Sequence, residues 1–196
     1  SITITAQGLT PENSYLSRAG AKTGDWLYVT GDIGDAALAL QQINQNVSVE
    51  SEFIDAIRKK LDYPKPRVLA GQALREYASA AIDISDGLIA DLGHICQASN
   101  VGANIVLDAI PLSNIMRDTL LLEDAINLAL TGGDDYELLF TVSEDNKVGM
   151  ETALSHAGTP VTCIGQINAS QTISTTLNNK PVPITNAGFE HFSANK

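Results

Sequence analysis

This 196-residue sequence predicts an α/β fold, with helices packed on a mixed β-sheet and an α+β character where the final stretch turns strand-rich. Strand-like and helix-like segments alternate through most of the chain. Hydrophobic residues make up 44% of it, enough to bury a sizeable core. No internal repeat and no low-complexity segment appears, which excludes solenoids and disordered arrays.

The elements follow in order. The opening SITIT alternates polar and apolar like a strand in progress, so residues 2–5 are expected to be extended. Trp26–Thr30 is a short β-rich run, and the Gly/Asp turn 31–35 leads into Ala36, Leu40, Ile43 and Val47, spaced as on one helical face. A second helix covers residues 52–61 until Pro64-Lys65-Pro66 breaks it, and a third covers 68–80, with Leu69, Ala73 and Tyr77 on one side. Residues 81–84 form a short apolar strand carrying Asp83, and Ser85-Asp86-Gly87 turns into a helix whose buried face is Leu88, Leu92 and Ile95. A strand at 103–107, a helix at 124–130, a Gly/Asp turn at 131–135 and a strand at 136–142 come next. A helix at 146–157 and strands at 161–167 and 173–177 complete the pattern.

Charge and cysteine usage exclude several functions. The net charge of -11 would repel a phosphate backbone or an anionic membrane, so neither nucleic acid nor membrane is an expected partner. With no apolar run of about 18 residues and no signal peptide in the first ten, the chain reads as soluble and cytoplasmic. Cys96 and Cys163 lie in apolar runs without CxxC spacing and are expected to be reduced, buried thiols. His94, His156 and His191 have no second histidine at ligand spacing.

Two constellations could carry chemistry. In the first, Asp83 and Asp86 could hold a hard cation such as Mg2+ while Ser85 faces an anion. Alternatively Ser85 or Asp86 caps the helix and Asp83 points to solvent. An acidic residue inside an apolar strand needs a partner, which favours the ligand reading of Asp83. In the second, Gly132 and Gly133 let backbone approach a ligand, and Asp134, Asp135 and Glu137 make a negative edge suited to a cation. The alternative is a turn with a solvated acidic tip, and period alone leaves the burial of Glu137 open. Gly31-Asp32-Ile33-Gly34-Asp35 lacks a full phosphate-loop pattern and reads as a plain turn before a helix, and Arg18 is a plausible phosphate clamp.

Arg18-Ala19-Gly20-Ala21-Lys22, Tyr28-Val29-Thr30-Gly31, Ile84-Ser85-Asp86-Gly87-Leu88 with Asp91-Leu92, and Gly132-Gly133-Asp134-Asp135-Tyr136-Glu137-Leu138 together carry a resemblance. In that order and spacing the chain resembles the carboxy-terminal portion of the thiamine-monophosphate kinase family. That family shares a superfamily with aminoimidazole ribonucleotide synthetase, selenophosphate synthetase and the hydrogenase-maturation dehydratase, all of which bind ATP between two α/β domains. The resemblance implies Mg2+-dependent transfer of the ATP γ-phosphoryl group onto thiamine monophosphate, giving thiamine diphosphate. Carried over by motif, Asp83 and Asp86 resemble metal ligands, Arg18 and Ser85 resemble ATP contacts, and Glu137 and Phe189 resemble substrate contacts. An aromatic face and a carboxylate are what a cationic thiazolium and an aminopyrimidine seek. Phosphoryl transfer is mostly positioning and charge neutralisation, so no covalent intermediate is needed.

The family commonly has Glu where Asp134 stands and Pro where Thr23 stands. Its amino-terminal domain has no counterpart in this sequence. Residues 1–25 are therefore expected to be the end of that domain plus a linker, and 26–196 the carboxy-terminal domain. The implied homodimer would form through the absent domain, and the chain alone is expected to lack activity. Two rivals are another ATP-dependent enzyme of the superfamily and a non-catalytic binding domain of the same fold.

Overall fold

The computed structural model describes residues 3–5, 7–12 and 14–183. The first regular strand is β1 (Trp26–Thr30), followed by helices α1 (Asp35–Ile43), α2 (Ser51–Asp62) and α3 (Val68–Leu74). Strand β2 (Ala78–Asp83), helix α4 (Leu88–Ser99) and strand β3 (Gly102–Val106) form the middle of the chain. Helices α5 (Asn114–Thr119) and α6 (Leu122–Thr131) lead to strand β4 (Leu138–Val142) and helix α7 (Lys147–His156). Strands β5 (Val161–Asn168), β6 (Ile173–Leu177) and β7 (Lys180–Val182) close the series.

The strands form a mixed sheet of seven in the order β2-β4-β1-β5-β3-β6-β7. Among its described pairs only β3 and β6 run parallel. The alternation of side chains along the strands builds a core on each face. Leu27, Val29, Ile82 and Leu139 join the larger core with the apolar sides of α1, α4 and α6. Tyr28, Ala81, Phe140 and Val142 join the smaller one with Leu74 of α3 and Met150 and Leu154 of α7. Tyr28 and Phe140, directly paired across β1 and β4, stack with ring centroids 5.7 Å apart.

The α/β class and the mixed sheet stand as the sequence predicts, while several elements end or begin elsewhere. Helix α3 ends at Leu74, because residues 78–83 pair with β4 and that ladder overrides the helical spacing up to residue 80. Helix α1 ends at Ile43, before Val47. Strand β4 starts at Leu138, since Tyr136 has φ 50°, which no strand residue adopts. Residues 3–5 are exposed and carry no strand. Helix α5 and strand β7 were not foreseen; α5 is short and is capped by Ser113, whose Oγ accepts from the Met116 N–H at 3.1 Å.

The stretch ahead of β1 is fastened to the sheet. The Ser17 carbonyl accepts from the Ala81 N–H on the outer side of β2 (2.9 Å), and Ser99 Oγ accepts from the Gly20 and Ala21 N–H groups. Ala21 is buried, and the buried Asp25 carboxylate receives the Ser79 hydroxyl at 2.5 Å. Cys96 is a buried free thiol, pushed up to about 11 by burial, while Cys163 is free and only half-buried.

Candidate functional site

Strands β1 and β2 end, and β4 begins, at one edge of the sheet, so three loops meet there. The 84–87 turn and the 132–137 loop are joined backbone to backbone. The Asp134 N–H donates to the Ser85 carbonyl (3.0 Å), Tyr136 N–H to Ile84 carbonyl (2.8 Å), and Ile84 N–H to Glu137 carbonyl (2.8 Å). Gly133 makes this approach possible, because a Cβ there would lie 2.2 Å from the Ser85 carbonyl oxygen. Between these loops and α1 lies a cavity of about 440 Å³, lined by Ser85, Asp86, Gly133, Asp134 and Tyr136 among others. Asp134 and Tyr136 hold positive φ values of 67° and 50°, and the Tyr136 hydroxyl donates to Asp134 at 3.2 Å. Burial, then the Asp134 carboxylate, raise the Tyr136 phenol above its ordinary range.

The cap at the start of α4 is neither Ser85 nor Asp86. Asp91, buried inside the first turn, accepts from the Ser85 N–H (2.9 Å) and the Asp86 N–H (3.1 Å). Burial raises its pKa, these two N–H groups oppose the rise, and the Asp86 and Asp83 charges add to it. Asp83 is exposed at the last position of β2, so the desolvation argument for a partner does not apply to it. Among the described residues no group of three or more His, Cys, Asp or Glu could hold a metal. Asp83 and Asp86 nonetheless offer an all-oxygen pair beside the cavity. Such a pair suits Mg2+, which takes one or two carboxylates and completes its shell with water and phosphate.

Glu137 turns the other way. It is buried, accepts from Thr30 Oγ1 at 2.6 Å, and is gripped by both Nε and Nη2 of Arg67, at 2.6 and 2.5 Å. The same pair raises the Arg67 pKa. Gly31, with φ 59°, makes room for it, since a Cβ there would lie 2.3 Å from Glu137 Oε1. The pair lines a second cavity of about 550 Å³ beside α2. Asp135 lines this second cavity as well, and its two carboxylate oxygens accept from the Gly34 N–H at 3.0 and 2.9 Å. The turn before α1 is thus occupied by a protein carboxylate, consistent with a plain turn. Burial, opposed by that N–H and assisted by Asp35, pushes Asp135 up to about 7.

The structure therefore brings Ser85 and Asp86 to one cavity with Asp83 next to them, and puts Glu137 in the wall of another. Arg18 is exposed on the β2 edge, its carbonyl accepting from Ser99 at the opposite end of α4 from Ser85. Phe189 lies outside the described residues. Arg67 was missed because Pro64-Lys65-Pro66 reads only as a helix breaker; a cation directly after it, with an acid on β4, was the available signal.

The family described as AIR synthase related protein, C-terminal domain, matches residues 22–178. The chain is 44% identical to a thiamine-monophosphate kinase of Escherichia coli O157:H7 over 98% of its own length and 60% of that protein's. It spans about 60% of the length of the curated relatives it matches first. A thiamine-monophosphate kinase crystal structure from Stenotrophomonas maltophilia K279a superposes with a TM-score of 0.77 at 38% identity, covering 85% of this chain and 54% of that one. AaThiL complexed with AMPPCP and TMP superposes with a TM-score of 0.72 at 29% identity, covering 90% and 54%. With the family matched across the seven-stranded sheet through β6 and both loops of the first cavity, the chain belongs to the AIR synthase related protein, C-terminal domain family.

Proposed function

We propose that this chain is the carboxy-terminal part of a cytoplasmic thiamine-monophosphate kinase that transfers the γ-phosphoryl group of ATP to thiamine monophosphate. One observation carries the reading: the Ser85–Asp86 turn and the 132–136 loop converge on one cavity in a chain 44% identical to such a kinase over 98% of its length. A structural relative complexed with AMPPCP and TMP supports the same substrates. In this reading Asp83 and Asp86 hold Mg2+, which would neutralise phosphate charge during transfer. Ser85 and Arg18 contact ATP, and Phe189 packs on the vitamin. Glu137 is already bound by Arg67 and Thr30, so a contact with substrate competes with that pair. The enzyme acts as a homodimer through the part that the longer relatives have in addition.

The test is formation of ADP and thiamine diphosphate by a protein of the relatives' full length that contains this chain, with saturating Mg2+ and both substrates. Asp83→Asn removes charge from an exposed position without disturbing the fold, and turnover should drop by about 100-fold or more. Turnover within about twofold of the parent protein would remove Asp83 from the metal site.

A further inference from the structure

We propose that Asp91 is a positioning residue of the Ser85–Asp86 site. It clamps the turn so that the turn offers the cavity side chains alone, and a phosphate group meets it only through the Ser85 hydroxyl and a cation on the Asp83–Asp86 pair. This role rests on the kinase reading and adds to it a residue outside the lining of the cavity.

A loop that binds phosphate through its backbone leaves N–H groups pointing at the ligand. The turn at 84–86 leaves none. Ile84 N–H donates to the Glu137 carbonyl (2.8 Å), and the Ser85 and Asp86 N–H groups both donate to Oδ2 of Asp91, at 2.9 and 3.1 Å. On the acceptor side, the Ile84 and Ser85 carbonyls receive the Tyr136 and Asp134 N–H groups, at 2.8 and 3.0 Å. The turn is therefore gripped from two sides, by the backbone of the 132–137 loop and by one carboxylate oxygen from α4.

The two grips differ in what holds them. The first is backbone throughout, whereas the second hangs on a single side chain. Asp91 is 2% exposed, so water does not stand in for its hydrogen bonds, and its own N–H is fixed to the Gly87 carbonyl (3.0 Å). Without its carboxylate, the Ser85 and Asp86 N–H groups are released and become donors for a phosphate oxygen. The Ser85 and Asp86 side chains then leave their places at the cavity, and phosphoryl transfer is sensitive to displacements on the order of 1 Å. Because both N–H groups meet the same oxygen, the carbonyl of an asparagine supplies an equivalent acceptor without the charge. A glutamate keeps the charge and moves the acceptor by one methylene.

The experiment places Asp91→Asn, Asp91→Glu and Asp91→Ala in a protein of the relatives' full length that contains this chain, and measures turnover against Mg2+ and against each substrate. Asp91→Ala and Asp91→Glu should lower kcat at least about tenfold and raise the Mg2+ concentration for half-maximal turnover, with KM for thiamine monophosphate within about twofold of the parent. Asp91→Asn should stay within about threefold of the parent on every count. Amide exchange, followed by mass spectrometry on peptides spanning 84–87, should quicken at least about tenfold in Asp91→Ala and stay near the parent rate in Asp91→Asn. A merely stabilising role would shift neither the Mg2+ requirement of the folded enzyme nor the order of the variants. Parent-like turnover in Asp91→Ala, an Asp91→Asn no better than Asp91→Glu, or unaltered exchange would overturn the role. A parent protein that forms no thiamine diphosphate would overturn the kinase reading instead, and the exchange rates would still decide whether Asp91 holds the turn.

Discussion

Arg67 and Glu137 form an ion pair whose side chains are 19% and 7% exposed, whereas Arg58 and Asp62 on α2 pair at 41% each. Burial decides what each is worth. Removing one partner of a covered pair strands a charge without water, so Arg67→Ala should lower unfolding free energy by about 3–5 kcal/mol. Asp62→Asn should cost less than about 0.5 kcal/mol, and urea denaturation of the two variants checks the contrast. Losses of equal size would mean that the Glu137 carboxylate is hydrated. Asp135 gives the second residue-scale test. Its folded pKa, about 7, is above the unfolded value, so between about pH 4 and 7 the unfolded chain has released a proton that the folded chain keeps. Stability must fall with rising pH through that window and level off above it. Asp135→Asn should flatten the fall, and parallel pH profiles for parent and variant would refute the assignment. None of this was legible beforehand, because the partners Thr30, Gly34 and Arg67 lie far from residues 135 and 137 in sequence.

At the scale of elements, the two glycines at 93 and 133 should respond oppositely to a methyl group. Gly93 sits inside α4 with nothing within 4 Å of an added Cβ, so Gly93→Ala should stabilise the chain by about 0.5–1 kcal/mol. Gly133→Ala drives its Cβ into the Ser85 carbonyl, which must part the two loops; a loss of about 2 kcal/mol or more is expected and, in the full-length protein of the proposed function, at least a tenfold drop in the proposed turnover. Thermal melts and the ADP assay read both, and a neutral Gly133→Ala would show that the loops do not need their backbone contacts. Short β-rich runs, such as Trp26–Thr30, and helices with a clear apolar face, such as α4, were legible in the sequence. The end of α3 was not, since Ala73 and Tyr77 fit a helical stripe until the β4 ladder claims the residues beyond it. The cap at α4 was missed for a related reason. Ser85 and Asp86 are favoured cap types by position, but Asp91 reaches back from the first turn and takes their N–H groups itself.

Across the whole molecule, the strand order puts β1 between β4 and β5 with a core on each face, while β7 is three residues long and pairs only with β6 among the described strands. Amide exchange should therefore be slowest at Leu27–Val29 and faster by about a thousandfold or more at Lys180–Val182, as mass spectrometry or NMR can measure. Comparable rates would mean that the sheet opens as one unit. The α/β class was readable from the alternation of strands and helices, and the two acidic turns pointed to the end of the sheet where both cavities lie; which acid faces which cavity was not, because that depends on the backbone between them. There, Asp134 and Tyr136 hold left-handed conformations on either side of Asp135, a geometry that glycine adopts without penalty and that costs other residues about 1–2 kcal/mol each. Anyone engineering this chain for heat resistance would be drawn to relax those positions. Tyr136→Gly would ease the backbone while removing the ring from the cavity, so durability gained in this loop would be taken from its chemistry, and a thermostabilised variant should draw its substitutions from sites such as Gly93 instead.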